Sequence, residues 1–483
     1  MDFYGRRYVF DDLGRRLDRI RDTGTGQLLA VRGRRQVGKS RLFTRFVEQS
    51  GLPYLYFTAV KNAAPAAQLQ TLVADMRTST TPLKDADSLF AAPPTDWRDA
   101  LGRIAVACRD TPSVVVVDEF PWAAAADPSL EGQLQNAWDR QLEHTPVLFV
   151  LIGSDVTMME RLTEHDRPLY GRAKNQTISP FNPAECAEAL SAGVGTEADA
   201  VAAFDTALVT GGYPRLVADR ARAESTTAFV HEQLGDENSD LAVMGQRSLD
   251  SEFPDAQQAR RVLSVIGGTE IGSSTFNQVV GRLPGADSTA QTAVTRAIRV
   301  LSDKGVVTVD VPVGSGANSK LRRYRIADPC LRFWFRFVEE QLPHIARGRP
   351  DIARSAFDRG WLSWRGRAVE PLVQDAVSRL GPDLPGLEGA GQAGSWWNRD
   401  NSTEYDIVLP AAAGKKALLV GSVKWRGNKQ FGARDLAHLA EARHHVPGAD
   451  TAQLLAVCPA GLADGVRPDV ALGPADLLAA WQS

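Results

Sequence analysis

Two patterns of apolar and polar positions alternate along the first third of the chain. Phe10, Leu13, Leu17 and Ile20 recur at helical spacing and predict a short amphipathic helix. Apolar runs follow at 28–31, 54–60, 114–117 and 147–152, broken only by Thr58. Strands buried on both faces read this way, whereas strands with one wet face alternate. Alanine-rich and polar helical stretches, 63–76 and 97–108 among them, separate the runs. Strand alternating with helix predicts an α/β fold with a parallel sheet. From about Phe181 the pattern turns mostly helical, with Gly211-Gly212-Tyr213-Pro214 as a turn inside helical surroundings.

Between 255 and 326 the pattern changes again. Helices are predicted over 256–266, 274–280 and 288–304, the last with Ser288 as N-cap and Gly305 as C-cap. Two strands, 306–311 and 321–326, flank a Gly-Ser-Gly-Ala-Asn-Ser turn. Three helices and a hairpin predict a winged helix. Lys320, Arg322, Arg323 and Arg325 on that hairpin suit phosphate contact. A module that only bridges its neighbours is the alternative.

Chemistry enters at the end of the first apolar run. Gly33-Arg34-Arg35-Gln36-Val37-Gly38-Lys39-Ser40 fits the phosphate-binding loop G-x-x-x-x-G-K-[ST], and it opens an amphipathic run at 42–47. Glycines let backbone N–H groups approach a triphosphate, and a helix N-terminus favours negative charge. Lys39 is placed to reach the β- and γ-phosphates and Ser40 to coordinate Mg²⁺. The third run leads straight into Asp118-Glu119. Asp118, at the end of a buried strand, would hold the same Mg²⁺, and Glu119 would polarise the attacking water. ATP and Mg²⁺ are therefore the expected cofactors. Ser154 ends the fourth run and is either a sensor beside the γ-phosphate or a helix N-cap. Arg172 is either a phosphate-sensing or trans-acting arginine or a surface ion pair.

Composition narrows the class. The 483 residues suffice for about three domains. Hydrophobic content of 43% and charged content of 23% are those of a soluble globular chain. A net charge of −3 argues against a uniformly basic nucleic-acid binder but allows a local basic patch. Cys108, Cys186, Cys330 and Cys458 lie far apart without a C-x-x-C, which suits reduced thiols in a cytoplasmic protein. The charged N-terminus predicts no signal peptide, and no stretch is long enough to span a membrane.

Taken together, Gly33–Ser40, the Val-Asp-Glu-Phe-Pro-Trp segment ending at Trp122, 151–154, Gly211–Pro214 and Tyr324-Arg325-Ile326-Ala327-Asp328-Pro329 with the aromatic run 331–335 resemble the archaeal-type ATPases. These are AAA-related, STAND-like P-loop proteins that often carry a C-terminal DUF234-type domain. The resemblance implies a P-loop core of the additional-strand class (1–181), a helical lid (182–254) and a winged helix (255–330). A linker helix and a domain similar to PD-(D/E)xK nucleases (331–483) complete it. Such a lid commonly closes over the nucleotide, which makes Pro214 a nucleotide-side candidate.

Nuclease chemistry of that type needs acids to hold Mg²⁺ and a lysine to position water. Glu370, Asp406 and Lys424 are the candidates, but Ser422 stands where the pattern places an acid two residues before the lysine. A hydroxyl cannot replace a carboxylate in charge. The expectation is a retained fold with weakened or lost nuclease chemistry, unless a displaced acid such as Glu441 fills the site. The approach to this domain carries Arg347, Arg349, Arg354, Arg359, Arg365 and Arg367 against only Asp351 and Asp358, with Trp361, Trp364, Trp396 and Trp397 nearby. Arginine with aromatics suits nucleic acid; a solvated linker with core tryptophans is the alternative. Two readings follow. One is a nucleic-acid-associated ATPase contacting DNA through the winged helix and basic linker. The other is a signalling, defence or toxin–antitoxin ATPase that binds a protein partner or assembles as a homo-oligomer.

Overall fold

A computed structural model describes residues 3–190, 196–252, 256–269, 272–283, 288–316, 319–413 and 416–482. The four apolar runs form β1 (Gln27–Arg32), β2 (Tyr54–Thr58), β3 (Ser113–Asp118) and β4 (Val147–Gly153), joined by β5 (Ala173–Thr177). All neighbours are parallel, in the order β2-β3-β4-β1-β5. Strand β4 thus separates the loop strand from the Asp-Glu strand, which is the additional-strand arrangement. β3 and β4 are buried along their whole length, as continuous apolarity requires. β5 reads Ala-Lys-Asn-Gln-Thr and gives no apolar signal. It sits at the sheet edge and is held by its ladder to β1.

Helix α1 (Arg7–Thr23) buries Val9, Leu13, Leu17 and Ile20, and α2 (Lys39–Ser50) opens directly behind the loop. The expected helix at 63–76 begins at Pro65, whose fixed φ and missing N–H suit the first helical position. Residues Arg6–Pro180 form one compact unit.

The chain from Phe181 onward belongs to a second unit. Helices Pro183–Ala189, Glu197–Thr210, Pro214–Arg222, Thr226–Gln233 and Asp240–Glu252 come first. Helix Ala256–Gly267 follows, then β6 (Ser273–Ser274), helices Phe276–Arg282 and Ser288–Asp303, and strands β7 (Val307–Asp310) and β8 (Arg323–Ile326). These strands form an antiparallel sheet ordered β6-β8-β7. The expected helix at 274–280 starts two residues later, because Ser274 pairs with Tyr324 in β8 and Thr275 caps the helix. Gly305 is left-handed just past the third helix, as a C-terminal glycine should be. Part of the Gly-Ser-Gly-Ala-Asn-Ser turn, residues 317 and 318, lies outside the described residues.

The C-terminal sheet contains β9 (Gly394–Trp397), β10 (Glu404–Pro410), β11 (Ala417–Val423), β12 (Gln453–Val457) and β13 (Val470–Leu472). Its order is β13-β12-β11-β10-β9; the β9, β10 and β11 pairings are antiparallel and the others parallel. Among the described residues no helix is long and apolar enough to cross a membrane.

Candidate functional site

The loop leaves the C-terminal end of β1 and enters α2 at Lys39. Gly33 cannot carry a side chain, because a Cβ there would lie 2.3 Å from the Ile178 carbonyl oxygen. Left-handed Gln36 and Gly38 supply the turns that let loop N–H groups form an anion-binding concavity. Lys39 is buried, and its Nζ donates to the carbonyls of Gly33 at 2.7 Å and Arg34 at 3.0 Å. Burial lowers its pKa to about 8 despite the opposing pull of Glu119 and Asp118. Arg6, in front of α1, donates to the Val37 carbonyl at 3.0 Å and braces the loop. Arg6 lies in no motif of the sequence.

Asp118 ends β3 and is 3% exposed. Its Oδ1 accepts the Glu119 N–H at 2.9 Å, and its Oδ2 accepts the Tyr56 hydroxyl at 2.9 Å. That hydroxyl also lies 3.2 Å from the Ser40 carbonyl, so Asp118 and the first turn of α2 share one neighbour. Ser40 and Asp118 offer the hydroxyl and carboxylate oxygens that Mg²⁺ takes, and they fit that ion. Glu119 has φ 51°, a left-handed conformation that costs a non-glycine residue about 1–3 kcal/mol and clusters at functional sites. Ser154 follows the inserted strand β4, and its hydroxyl donates between the two Glu119 carboxylate oxygens at 3.1 and 3.0 Å. The N-cap of helix Val156–Arg161 is Asp155, whose side chain accepts the Met158 N–H, so Ser154 is not the cap.

One expected site residue, Arg172, lies elsewhere in the same unit. Arg172 precedes β5, whose first residue, Ala173, pairs with Leu28 near the start of β1. The loop leaves the other end of β1, about 13 Å away at ~3.3 Å per residue. The Arg172 guanidinium is held by both Asp139 oxygens at 2.6 and 2.8 Å. It cannot sense a phosphate on its own loop, and the surface ion pair is what the structure contains. Pro214 opens helix Pro214–Arg222 in the second unit. Its turn is set by packing: Gly211 and Gly212 are left-handed, and a Cβ on Gly212 would lie 2.1 Å from the Phe181 carbonyl oxygen. The Tyr213 hydroxyl donates to Asp328 Oδ2, which joins two of the motifs behind the family resemblance.

In the C-terminal domain, Glu370 begins helix Glu370–Leu380 and Asp406 lies on β10. Asp406 Oδ2 accepts the Val423 N–H at 2.7 Å and the Ser422 hydroxyl at 3.1 Å. Arg367 stands 3.4 Å from Glu370 and 3.9 Å from Asp406. Burial, with Asp406 adding to it and Arg367 opposing, raises the Glu370 pKa to about 8. Lys424 follows β11, its N–H bound to Val457. Glu441 stands exposed on helix Ala433–Ala442, and no group of three His, Cys, Asp or Glu among the described residues is arranged to hold a metal.

The basic elements are largely committed. Arg323 donates to Glu404 at 2.7 Å and Asn401 at 2.9 Å, and its guanidinium lies 4.2 Å from the Trp397 ring centre. Arg325 binds Asp310, and the Val313 N–H donates to Ser395 on β9. The hairpin is therefore docked on the C-terminal sheet, which suits the bridging alternative and engages two of its four basic residues, Arg323 and Arg325. Arg349 pairs with Asp351, Arg365 with Asp205, and Arg354 donates to the His231 carbonyl. Trp361, Trp364, Trp396 and Trp397 are all buried, so they pack cores and offer no stacking faces.

Fold and loop geometry define a P-loop ATPase of the additional-strand class. Residues 15–219 match the model of an ATPase domain found predominantly in Archaea. Residues 334–436 match the DUF234 model, which describes archaeal and bacterial proteins of unknown function. The chain thus carries an archaeal-type ATPase domain followed by a DUF234 domain. An uncharacterized protein of Methanocaldococcus jannaschii is 21% identical over 410 residues, covering 84% of this chain and 85% of the relative. Among solved structures, a Walker-type ATPase of Pyrococcus abyssi aligns with 69% of this chain and 96% of its own at 16% identity, TM-score 0.47. The ORC2 protein of Aeropyrum pernix, in ADPNP–ADP complexes, aligns with 74% of this chain and 96% of its own at 14% identity, TM-score 0.41.

Proposed function

We propose that the protein binds and hydrolyses ATP with Mg²⁺ and acts as a switch, and that its second unit engages a protein partner. The observation that carries the hydrolytic part is the Ser154–Glu119 contact beside Asp118, opposite Lys39 and Ser40. Mg²⁺, when bound, would neutralise charge on the β- and γ-phosphates. Loop N–H groups from Gly33 to Gly38 and the Lys39 ammonium would bind those phosphates, with Ser40 and Asp118 on the metal side. Glu119 would take the proton of the attacking water, held in place by Ser154. Arg172, remote from its own loop, could serve only a neighbouring copy in a homo-oligomer.

The protein-partner reading is favoured over nucleic acid by the internal pairing of Arg323, Arg325, Arg365 and Arg367 and by the buried tryptophans. The carboxylate pair Glu370–Asp406, with Arg367 beside it and Ser422 in place of an acid, fits a nuclease-like domain without cleavage chemistry. Steep salt-dependent DNA binding would reverse the choice of partner. For the ATP site, Lys39→Ala should abolish nucleotide binding. Glu119→Gln should bind ATP and hydrolyse it about 10²–10⁴-fold more slowly. Hydrolysis by Glu119→Gln at the parental rate would refute the assignment of the base.

A further inference from the structure

Tyr56 belongs to none of the phosphate-site motifs. It lies in the middle of β2, in register with Val116 of β3, two residues before the pair Thr58 and Asp118. Its hydroxyl is 2.9 Å from Asp118 Oδ2 and 3.2 Å from the Ser40 carbonyl. A phenol has one hydrogen to give, and the shorter, charge-assisted contact to the carboxylate takes it. The other carboxylate oxygen is tied by the Glu119 N–H at 2.9 Å. Two donors, one from a neighbouring strand and one from the following residue, therefore fix the plane of the Asp118 carboxylate.

We propose that Tyr56 is a positioning residue for metal-assisted nucleotide binding: it holds Asp118 in one orientation at a set distance from the first turn of α2, where Ser40 sits. The inference rests on the ATPase reading of the same site. A carboxylate has about four lone-pair sites, so two protein donors orient it and still leave oxygen lone pairs for a metal or its water. Without the phenol, rotation about the terminal carboxylate torsion is broad and shallow, and Oδ2 loses its set direction. A hydroxyl that merely satisfied a buried carboxylate would matter to folding and leave metal dependence alone. A residue that aims a ligand shifts the metal requirement itself, typically by tenfold or more.

The test compares the full-length parent with Tyr56→Phe, which keeps the ring and removes the hydroxyl. Binding of a fluorescent ATP analogue is followed first in EDTA and then through a Mg²⁺ titration. The expected result is a rise of about tenfold in the Mg²⁺ concentration that gives half of the metal-dependent gain in affinity. An unchanged Mg²⁺ half-point overturns the proposal. So does loss of binding in EDTA to the same degree as in Mg²⁺, because that marks a folding role. A parent whose nucleotide binding shows no Mg²⁺ dependence would overturn the assignment of Ser40 and Asp118 to the metal, on which the inference rests. A failure confined to the comparison of the two proteins removes only the role of Tyr56.

Discussion

Replacing Asp406 with alanine should destabilise the C-terminal sheet, and the size of the effect separates a structural carboxylate from a metal ligand. The side chain accepts the Val423 N–H at 2.7 Å and the Ser422 hydroxyl at 3.1 Å. Hydrogen bonds to a charged group are worth about 1.5–3 kcal/mol each. Ser422 is partly exposed and can turn to water, but Val423 is 7% exposed and its N–H would be left without an acceptor. Relief of repulsion from Glu370 returns little near neutral pH, where a pKa of about 8 keeps that group mostly protonated. The net loss should be about 2–4 kcal/mol for Asp406→Ala and under ~1.5 kcal/mol for Asp406→Asn, which retains an acceptor. Native-state hydrogen exchange at Val423 reads this locally. Its rate should rise roughly 30- to 700-fold in the alanine variant, at ~1.4 kcal/mol per tenfold. Unchanged or increased protection would show instead that Asp406 is a repelled carboxylate kept for a metal. Metal-dependent DNA cleavage lost in the same variant would refute the structural reading outright.

Glu370 predicts a pH dependence. With its folded pKa raised from 4.5 to about 8, the folded state holds a proton that the unfolded chain releases in that interval. Its contribution to stability is complete below about pH 4.5 and is lost as pH rises towards 8, so urea midpoints should fall across this window. Asp406 and Glu404 push the shift upward while Arg367 and Arg332 oppose it. Glu370→Gln should flatten the profile, and an unchanged slope would assign it to other groups. Arg323→Glu places a second carboxylate against Glu404 and should increase hydrogen exchange in β8 and β9; weaker DNA binding with unchanged exchange would return the hairpin to a phosphate-contacting role.

Much of the ATPase core was legible because its signals are local. The apolar runs at 28–31, 114–117 and 147–152 became β1, β3 and β4 within a residue or two at each end. A fully buried strand has to be apolar on both faces, and that requirement is written in consecutive residues. β5 was missed for the converse reason: an edge strand held by one ladder needs little apolar surface. Tyr56 and Arg6 escaped notice because neither lies in a motif. Their importance comes from reaching Asp118 and Val37, which are 62 and 31 residues away.

Sequence alone placed the phosphate-loop motif behind the first strand, the Asp-Glu pair at the end of the third and the ATPase segment ahead of the DUF234 segment, since each follows from residue type and short spacing. Only the tertiary structure decided which charges are available to a ligand. Arg172, Arg323 and Arg365 each meet a carboxylate from a distant segment, Asp139, Glu404 and Asp205, while Arg325 meets Asp310 across its own hairpin. The physical reason is that a buried or half-buried charge must find a partner, and that partner is chosen by the packing of remote elements.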